Sequence, residues 1–210
     1  MKGCFITFEG VEGCGKSTQI ALLADHLTEA GYTVLVTREP GGTPIAEAIR
    51  EVLLDPAHHA MGATAELLLY EAARAQHVHE KIAPALADGH IVLCDRFADS
   101  TTAYQGAGRG ISSDVLTPLH HMATGGVWPD LTLLIDLPVE TGLERARGRG
   151  RKDRIEQESI DFHQRVRDGF LALAEAEPDR IHVIDGSADI DAVHQSIRRA
   201  VEAALAPRVQ

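Results

Sequence analysis

Cysteine is scarce in this chain: Cys4, Cys14 and Cys94 are the only three in 210 residues. An odd count at no metal-ligand spacing argues against a disulfide framework or a zinc site, and a reduced, cytoplasmic location is expected. Long apolar runs are also missing. No stretch reaches the roughly 18 residues that a membrane helix needs, so no membrane association is expected. The first ten residues hold too short an apolar run for a secretory signal. Basic excess is absent: 31 acids face 20 bases, for a formal charge of −11. A general nucleic-acid binder would need a broad basic face, so no nucleic-acid partner is expected. No repeat, low-complexity tract or linker divides the chain, and 1–210 reads as a single domain.

The composition is otherwise that of a packed domain, 44% hydrophobic and 24% charged. This length can bury a core without staples. Apolar runs of four or five residues stand at Cys4–Phe8, Thr33–Thr37, Ile91–Cys94, Leu131–Ile135 and Ile181–Ile184. They are too short for independent helices and suit buried parallel strands. Helix-length segments lie between them, at about 16–30, 43–54, 63–88, 111–124, 139–148, 154–176 and 189–205. Strands alternating with helices predict an α/β parallel sheet covered on both faces. In the last segment Ile190, Val193, Ile197, Val201 and Leu205 form one apolar stripe. In 63–88, by contrast, Leu67, Leu68, Leu69 and Tyr70 are consecutive and cover the whole helix. Such a helix is either central in the domain or turned outward onto a second subunit.

Gly10-Val11-Glu12-Gly13-Cys14-Gly15-Lys16-Ser17 fits the G-x-x-x-x-G-K-[ST] phosphate loop, after a strand and before a helix-compatible stretch. Gly10, Gly13, Cys14, Gly15 and Thr18 bring backbone close to phosphate oxygens. Lys16 adds a point charge for the β- and γ-phosphates, and Ser17 a hydroxyl for Mg²⁺. No guanine-reading N-K-x-D is present, and the chain is short for a motor ATPase. A small kinase remains, which needs an acceptor anion site and mobile cations. Thr37-Arg38-Glu39-Pro40-Gly41-Gly42-Thr43 ends strand two, where α/β proteins bind ligands, so Arg38 is placed to hold an anion. Asp95 ends strand three near the expected Mg²⁺, Arg96 can bridge donor and acceptor phosphates, and Gln105 suits a base edge. From Arg145 to Arg154, ten positions hold six of the 20 bases. With mobile glycines at 148 and 150, this segment, about 145–156, reads as a closing lid.

These motifs, with Ala103-Tyr104-Gln105-Gly106 and Asp153-Arg154-Ile155-Glu156, occur in order over nearly the whole chain, which resembles the bacterial thymidylate kinase family. The resemblance implies a three-layer P-loop kinase fold with strand order 2-3-1-4-5. It implies transfer of the ATP γ-phosphoryl to dTMP, giving dTDP, with Mg²⁺, in a homodimer. Arg38, Arg96 and Arg50 would bind the dTMP phosphate, and Glu12 the 3′-hydroxyl. Arg74, Thr101 and Gln105 would address the thymine edge, and Tyr70 would stack on the ring where the family usually has phenylalanine. Tyr104 would pack against the sugar and crowd a 2′-hydroxyl. Asp95 would serve Mg²⁺ through water, and Arg145 would lie against adenine opposite Asp185-Gly186-Ser187. The phosphate loop carries no arginine, so the transition-state cation would come from the lid. Arg149 is the best match, with Arg147 and Arg151 as alternatives. Phe97 departs from a common tyrosine or histidine. The sharp turn after Arg38 predicts a cis Glu39–Pro40 bond. A kinase for another monophosphate, and a nucleotide-dependent regulatory protein, are the competing readings.

Overall fold

The computed structural model describes residues 3–147 and 153–206. Five parallel strands form one sheet: β1 (Cys4–Glu9), β2 (Val34–Arg38), β3 (Ile91–Asp95), β4 (Leu131–Asp136) and β5 (Ile181–Asp185). Their spatial order is β2-β3-β1-β4-β5, the expected 2-3-1-4-5. Each expected strand is present, longer by a residue or shifted by one at its C-terminal end.

The period of two in β1 explains the layers. Cys4, Ile6 and Phe8 point to one face, where α1 (Lys16–Glu29) and α9 (Ile190–Leu205) cover them. Ile20, Leu23 and Leu27 meet Val193, Ile197, Val201 and Leu205 there, as the α9 stripe predicts. Phe5 points to the opposite face, into a cluster with Val78, Ile82, Val92 and Phe97. A further cluster on that side joins Leu134 and Ile181 to Phe162, Val166 and Phe170 of α8 (Ile160–Ala176). Thr7 also lies there, and its hydroxyl meets that of Thr132 at 2.8 Å, while the Thr132 hydroxyl donates to Asp99 and accepts from Arg180, so the polar pair in the sheet is satisfied.

The remaining helices are α2 (Pro44–Leu54), α3 (Ala63–His77), α4 (Ala83–Ala87), α5 (Ala98–Thr101), α6 (Ser113–Thr124) and α7 (Val139–Ala146). Three expectations need correction. Segment 63–88 is not one regular helix, because a π-helical turn, Val78–Ile82, separates α3 from α4. Nor is it buried all round: Leu67 faces the core, whereas Leu68 is 51% exposed. Consecutive residues advance about 100° around a helix, so four of them cannot all face one core. The central reading of this helix therefore falls, and the outward one remains. Segment 154–176 becomes helical only at Ile160, after turns at its start. The sequence reading missed α5 and the π-helical stretch Thr102–Gly108 that continues it, where threonines and glycines carry little helix propensity.

Candidate active site

All five strands end on the same edge of the sheet, and the groups expected to do chemistry gather there. One cavity is lined by Glu12, Gly13, Gly15, Lys16, Ser17, Arg38, Arg50, Tyr70, Arg74, Asp95, Arg96, Thr101, Tyr104 and Gln105. Ala146, Asp153, Ile155 and Glu156, at the two ends of the expected lid, also border it.

The phosphate loop turns through positive φ at Gly10, Gly13 and Gly15. Gly13 is required twice: its φ is +73°, and a Cβ there would fall 2.0 Å from the Gly142 carbonyl oxygen in α7. Gly15 caps α1 without any side-chain bond, leaving the helix N-terminus free to receive an anion. Thr18 sits in the first turn of that helix. Lys16 Nζ donates to the carbonyls of Gly10 (3.0 Å) and Val11 (3.2 Å) and approaches Cys14 Sγ at 3.6 Å. The buried lysine is thus paired with its own loop. Ser17 Oγ donates to Asp95 Oδ2 at 3.4 Å, which joins the two expected Mg²⁺ ligands. A hydroxyl and a carboxylate beside a phosphate loop fit Mg²⁺, which takes few protein oxygens and keeps water and phosphate for the rest.

On the acceptor side Glu39–Pro40 is cis, as expected. Arg38 is half-exposed and holds both oxygens of Glu47 at 2.9 Å, while Arg50 Nη1 donates to the Pro40 carbonyl at 2.7 Å. Arg96 is the one non-glycine among the described residues with positive φ, +69°. Its Nη1 donates to the Gly10 carbonyl and Ser100 Oγ, and its Nη2 to Glu12. Tyr104 also donates to Glu12, at 3.0 Å, under the Arg96 guanidinium. Burial pushes the Glu12 carboxyl up, but Arg96, Lys16 and Tyr104 outweigh it and hold the group below the ordinary carboxylate range.

At the far end of the cavity Arg74 is almost sealed, at 2% exposure. It donates to Glu39 (2.9 Å), Glu71 (2.8 Å), the Phe97 carbonyl (3.1 Å) and Thr101 Oγ1 (3.0 Å). Those bonds commit most of the five N–H groups of its guanidinium and leave one for a ligand. Tyr70 lines the same end, and its hydroxyl makes no hydrogen bond with another described residue. Burial, and then the charge of Glu66, pushes that hydroxyl above its ordinary range, so it stays protonated. Arg145 Nη1 donates to the Gly186 carbonyl at 3.2 Å, which places it directly beside the 185–187 loop that the resemblance sets across the adenine from it. Arg147 ends the described stretch, and Arg149 and Arg151 lie outside the described residues.

Sequence reasoning missed the carboxylates and histidines behind this lining. Glu9, wholly buried, accepts from Phe97 N–H (2.7 Å) and Ser100 Oγ (2.6 Å) and so holds the loop that carries Arg96. Burial first, and the charge of Asp99 second, push its carboxyl up to about 8. His77 spans Glu39 Oε1 (3.0 Å) and Thr37 Oγ1 (2.7 Å), and His120 spans Glu71 Oε1 (2.9 Å) and Thr102 Oγ1 (3.0 Å). Glu66 gathers Gln105, Arg109 and Arg154. The available signal was a set of charged residues inside otherwise apolar segments, since such charges persist in a core only when paired.

The chain matches the family model described as thymidylate kinase over residues 8–197. It is 58% identical to the thymidylate kinase of Geotalea uraniireducens, over 97% of this chain and 99% of that one. It is 55% identical to the thymidylate kinase of Pseudomonas fluorescens, over 94% of each. Among solved structures, thymidylate kinase from Ehrlichia chaffeensis superposes with a TM-score of 0.80 at 36% identity, covering 96% of this chain and all of that one.

Proposed function

The chain belongs to the thymidylate kinase family, and we propose that it transfers the γ-phosphoryl of ATP to dTMP, giving dTDP and ADP. The observation that carries this reading is that one cavity joins a phosphate loop, two acceptor-side arginines, Arg38 and Arg96, and a base-sized end built by Tyr70, Arg74, Thr101 and Gln105. A nucleotide switch needs only the first of these. An acceptor site in line with the loop is what a kinase requires.

The roles follow from the atoms present. Lys16 exchanges its loop carbonyls for β- and γ-phosphate oxygens when nucleotide binds. Arg96, anchored at Gly10, bridges the transferring phosphoryl and the acceptor phosphate. Arg38 and Arg50 hold that acceptor phosphate, Arg38 leaving Glu47 to do so. Glu12 takes the sugar 3′-hydroxyl, and Tyr104 fills the space beside the 2′ carbon. Ser17, and Asp95 through water, would hold Mg²⁺, which would supply charge neutralisation at the phosphates. The acceptor monoester is already an anion at neutral pH, so no strong general base is needed, and catalysis is positioning plus charge neutralisation. The phosphate loop has no cation between Gly10 and Gly15, so a lid arginine, Arg149 ahead of Arg147 and Arg151, covers the remaining phosphoryl oxygens. Arg145 lies beside the adenine.

Two further properties belong to the same proposal. The enzyme is a homodimer, supported by exposed Leu68 on α3 and Val115 and Met122 on the neighbouring α6. It works in the cytoplasm, supported by three buried free thiols, and no described helix is long and apolar enough to cross a membrane. A coupled ADP-release assay with ATP, Mg²⁺ and a panel of nucleoside monophosphates tests the reaction. dTMP is expected to be the preferred acceptor. Preference for a purine monophosphate, or slow hydrolysis unstimulated by any acceptor, would replace this reading with one of its competitors.

A further inference from the structure

We propose that Glu66 positions the amide of Gln105, and thereby selects a pyrimidine that carries a ring N–H over one that presents a bare ring nitrogen. The proposal rests on the thymidylate kinase reading of the cavity. Glu66 stands on α3 with no exposed surface, and its partners are Gln105, Arg109 and Arg154. Its Oε1 accepts from Gln105 Nε2 at 2.9 Å and Arg109 Nε at 3.1 Å. Its Oε2 accepts from Arg109 Nη2 at 3.1 Å and from Arg154 Nη1. Burial alone would raise its pKa, but the bonds from Arg109 and Gln105 outweigh that and hold the carboxyl below its ordinary range.

An ionised carboxylate only accepts hydrogen bonds, so it admits one orientation of the neighbouring amide. The NH₂ of Gln105 must face Glu66. Its carbonyl Oε1 makes no hydrogen bond with any described residue, and Gln105 lines the cavity. The polar atom left to a base is therefore an acceptor. Thymine and uracil have a donor at N3 to meet it, whereas cytosine has a lone pair there. A freely turning amide would serve either base. A buried polar site that leaves a mismatched partner unpaired discriminates strongly, because the cost of desolvation is not recovered. Arg154, at the foot of the expected lid, hangs on the same carboxylate and on the Leu53 carbonyl at 2.8 Å. Changing Glu66 therefore also loosens the lid stem, so the informative readout is a ratio between substrates and not a rate.

The test compares wild type, Glu66→Gln and Glu66→Asp in steady-state kinetics with dTMP, dUMP and dCMP. Failure of the wild type to phosphorylate dTMP would remove the underlying reading, and this inference with it. With that activity present, Glu66→Gln is expected to lower the dTMP-to-dCMP ratio of kcat/KM by about tenfold or more, chiefly through KM, because an amide at 66 lets Gln105 turn. Glu66→Asp keeps the charge and should restore most of the ratio, with dUMP following dTMP. A ratio in Glu66→Gln within about threefold of wild type, with all rates falling together, would reduce Glu66 to a structural residue and overturn the proposal. If Glu66→Gln does not fold, amide exchange in the wild type decides. The Gln105 side-chain NH₂, assigned by its loss in Gln105→Met, should exchange about tenfold or more slowly than a free amide before any ligand is added. Protection acquired only with dTMP would overturn the proposal equally.

Discussion

At Arg74 two consequences of one substitution separate. Removing its charge takes a donor from the base, which costs about 1.5–3 kcal/mol in dTMP binding. It also strands Glu39 and Glu71, both buried, without their cation. Breaking a buried ion pair costs about 3–5 kcal/mol, so Arg74→Ala should lower unfolding stability by that order. Urea titration checks it, and an unchanged midpoint would show that the guanidinium is not structural. Tyr70→Phe should be nearly silent in both readouts, since its hydroxyl bonds no described residue and the ring does the stacking. Glu9 makes a pH prediction. Its carboxyl rises from the usual 4.5 to about 8, so the folded state binds a proton that the unfolded chain has released. The stabilisation is complete below about pH 4.5 and is lost as pH rises through about 8. Glu9→Gln mimics the protonated form and should gain stability relative to wild type between pH 5 and pH 9. Denaturation at both values measures this, and a constant difference would exclude the proton.

At the scale of elements, the phosphate loop and α7 are built to touch. Gly13→Ala would drive a Cβ to 2.0 Å from the Gly142 carbonyl. The expected result is loss of ATP binding in calorimetry with the fold retained, because the strain falls on the contact between the loop and α7. Full affinity would mean that α7 retreats without cost. The basic segment carries the second prediction. Arg149→Ala should reduce kcat by about 10³–10⁵, as loss of a transition-state arginine does, while dTMP binding changes little. Arg38→Ala should instead raise KM for dTMP, because that charge meets the phosphate before reaction. Near-normal kcat in Arg147→Ala, Arg149→Ala and Arg151→Ala alike would dismiss the lid as the source of the cation.

For the whole molecule, the exposed apolar side chains on α3 and α6 predict a two-fold pair. Met122 is 80% exposed, a cost that a second copy would remove. Light scattering at micromolar concentration should give twice the chain mass, and Leu68→Glu with Met122→Glu should halve it. A wild-type monomer would sink the dimer.

Short apolar runs and the periodicity between them determined the strands and most helices, because burial on both faces permits little else there. The phosphate loop, the cis turn and Arg38, Asp95, Arg96 and Gln105 were equally legible, since each has a local signature of spacing and residue type, whereas Glu12, Arg50, Tyr70, Arg74, Thr101 and Tyr104 came through the resemblance. Strand order came through resemblance and the tertiary structure, since periodicity does not choose neighbours. Helix α5 with its π-helical continuation was illegible, because packing against α8 and not propensity stabilises it. The partners of buried charge were the other gap. Glu66 reaches residues 105, 109 and 154, and Arg74 reaches residues 39 and 101. A chain position carries its own charge, but which opposite charge shares its low-dielectric surroundings is set only when distant segments fold against each other.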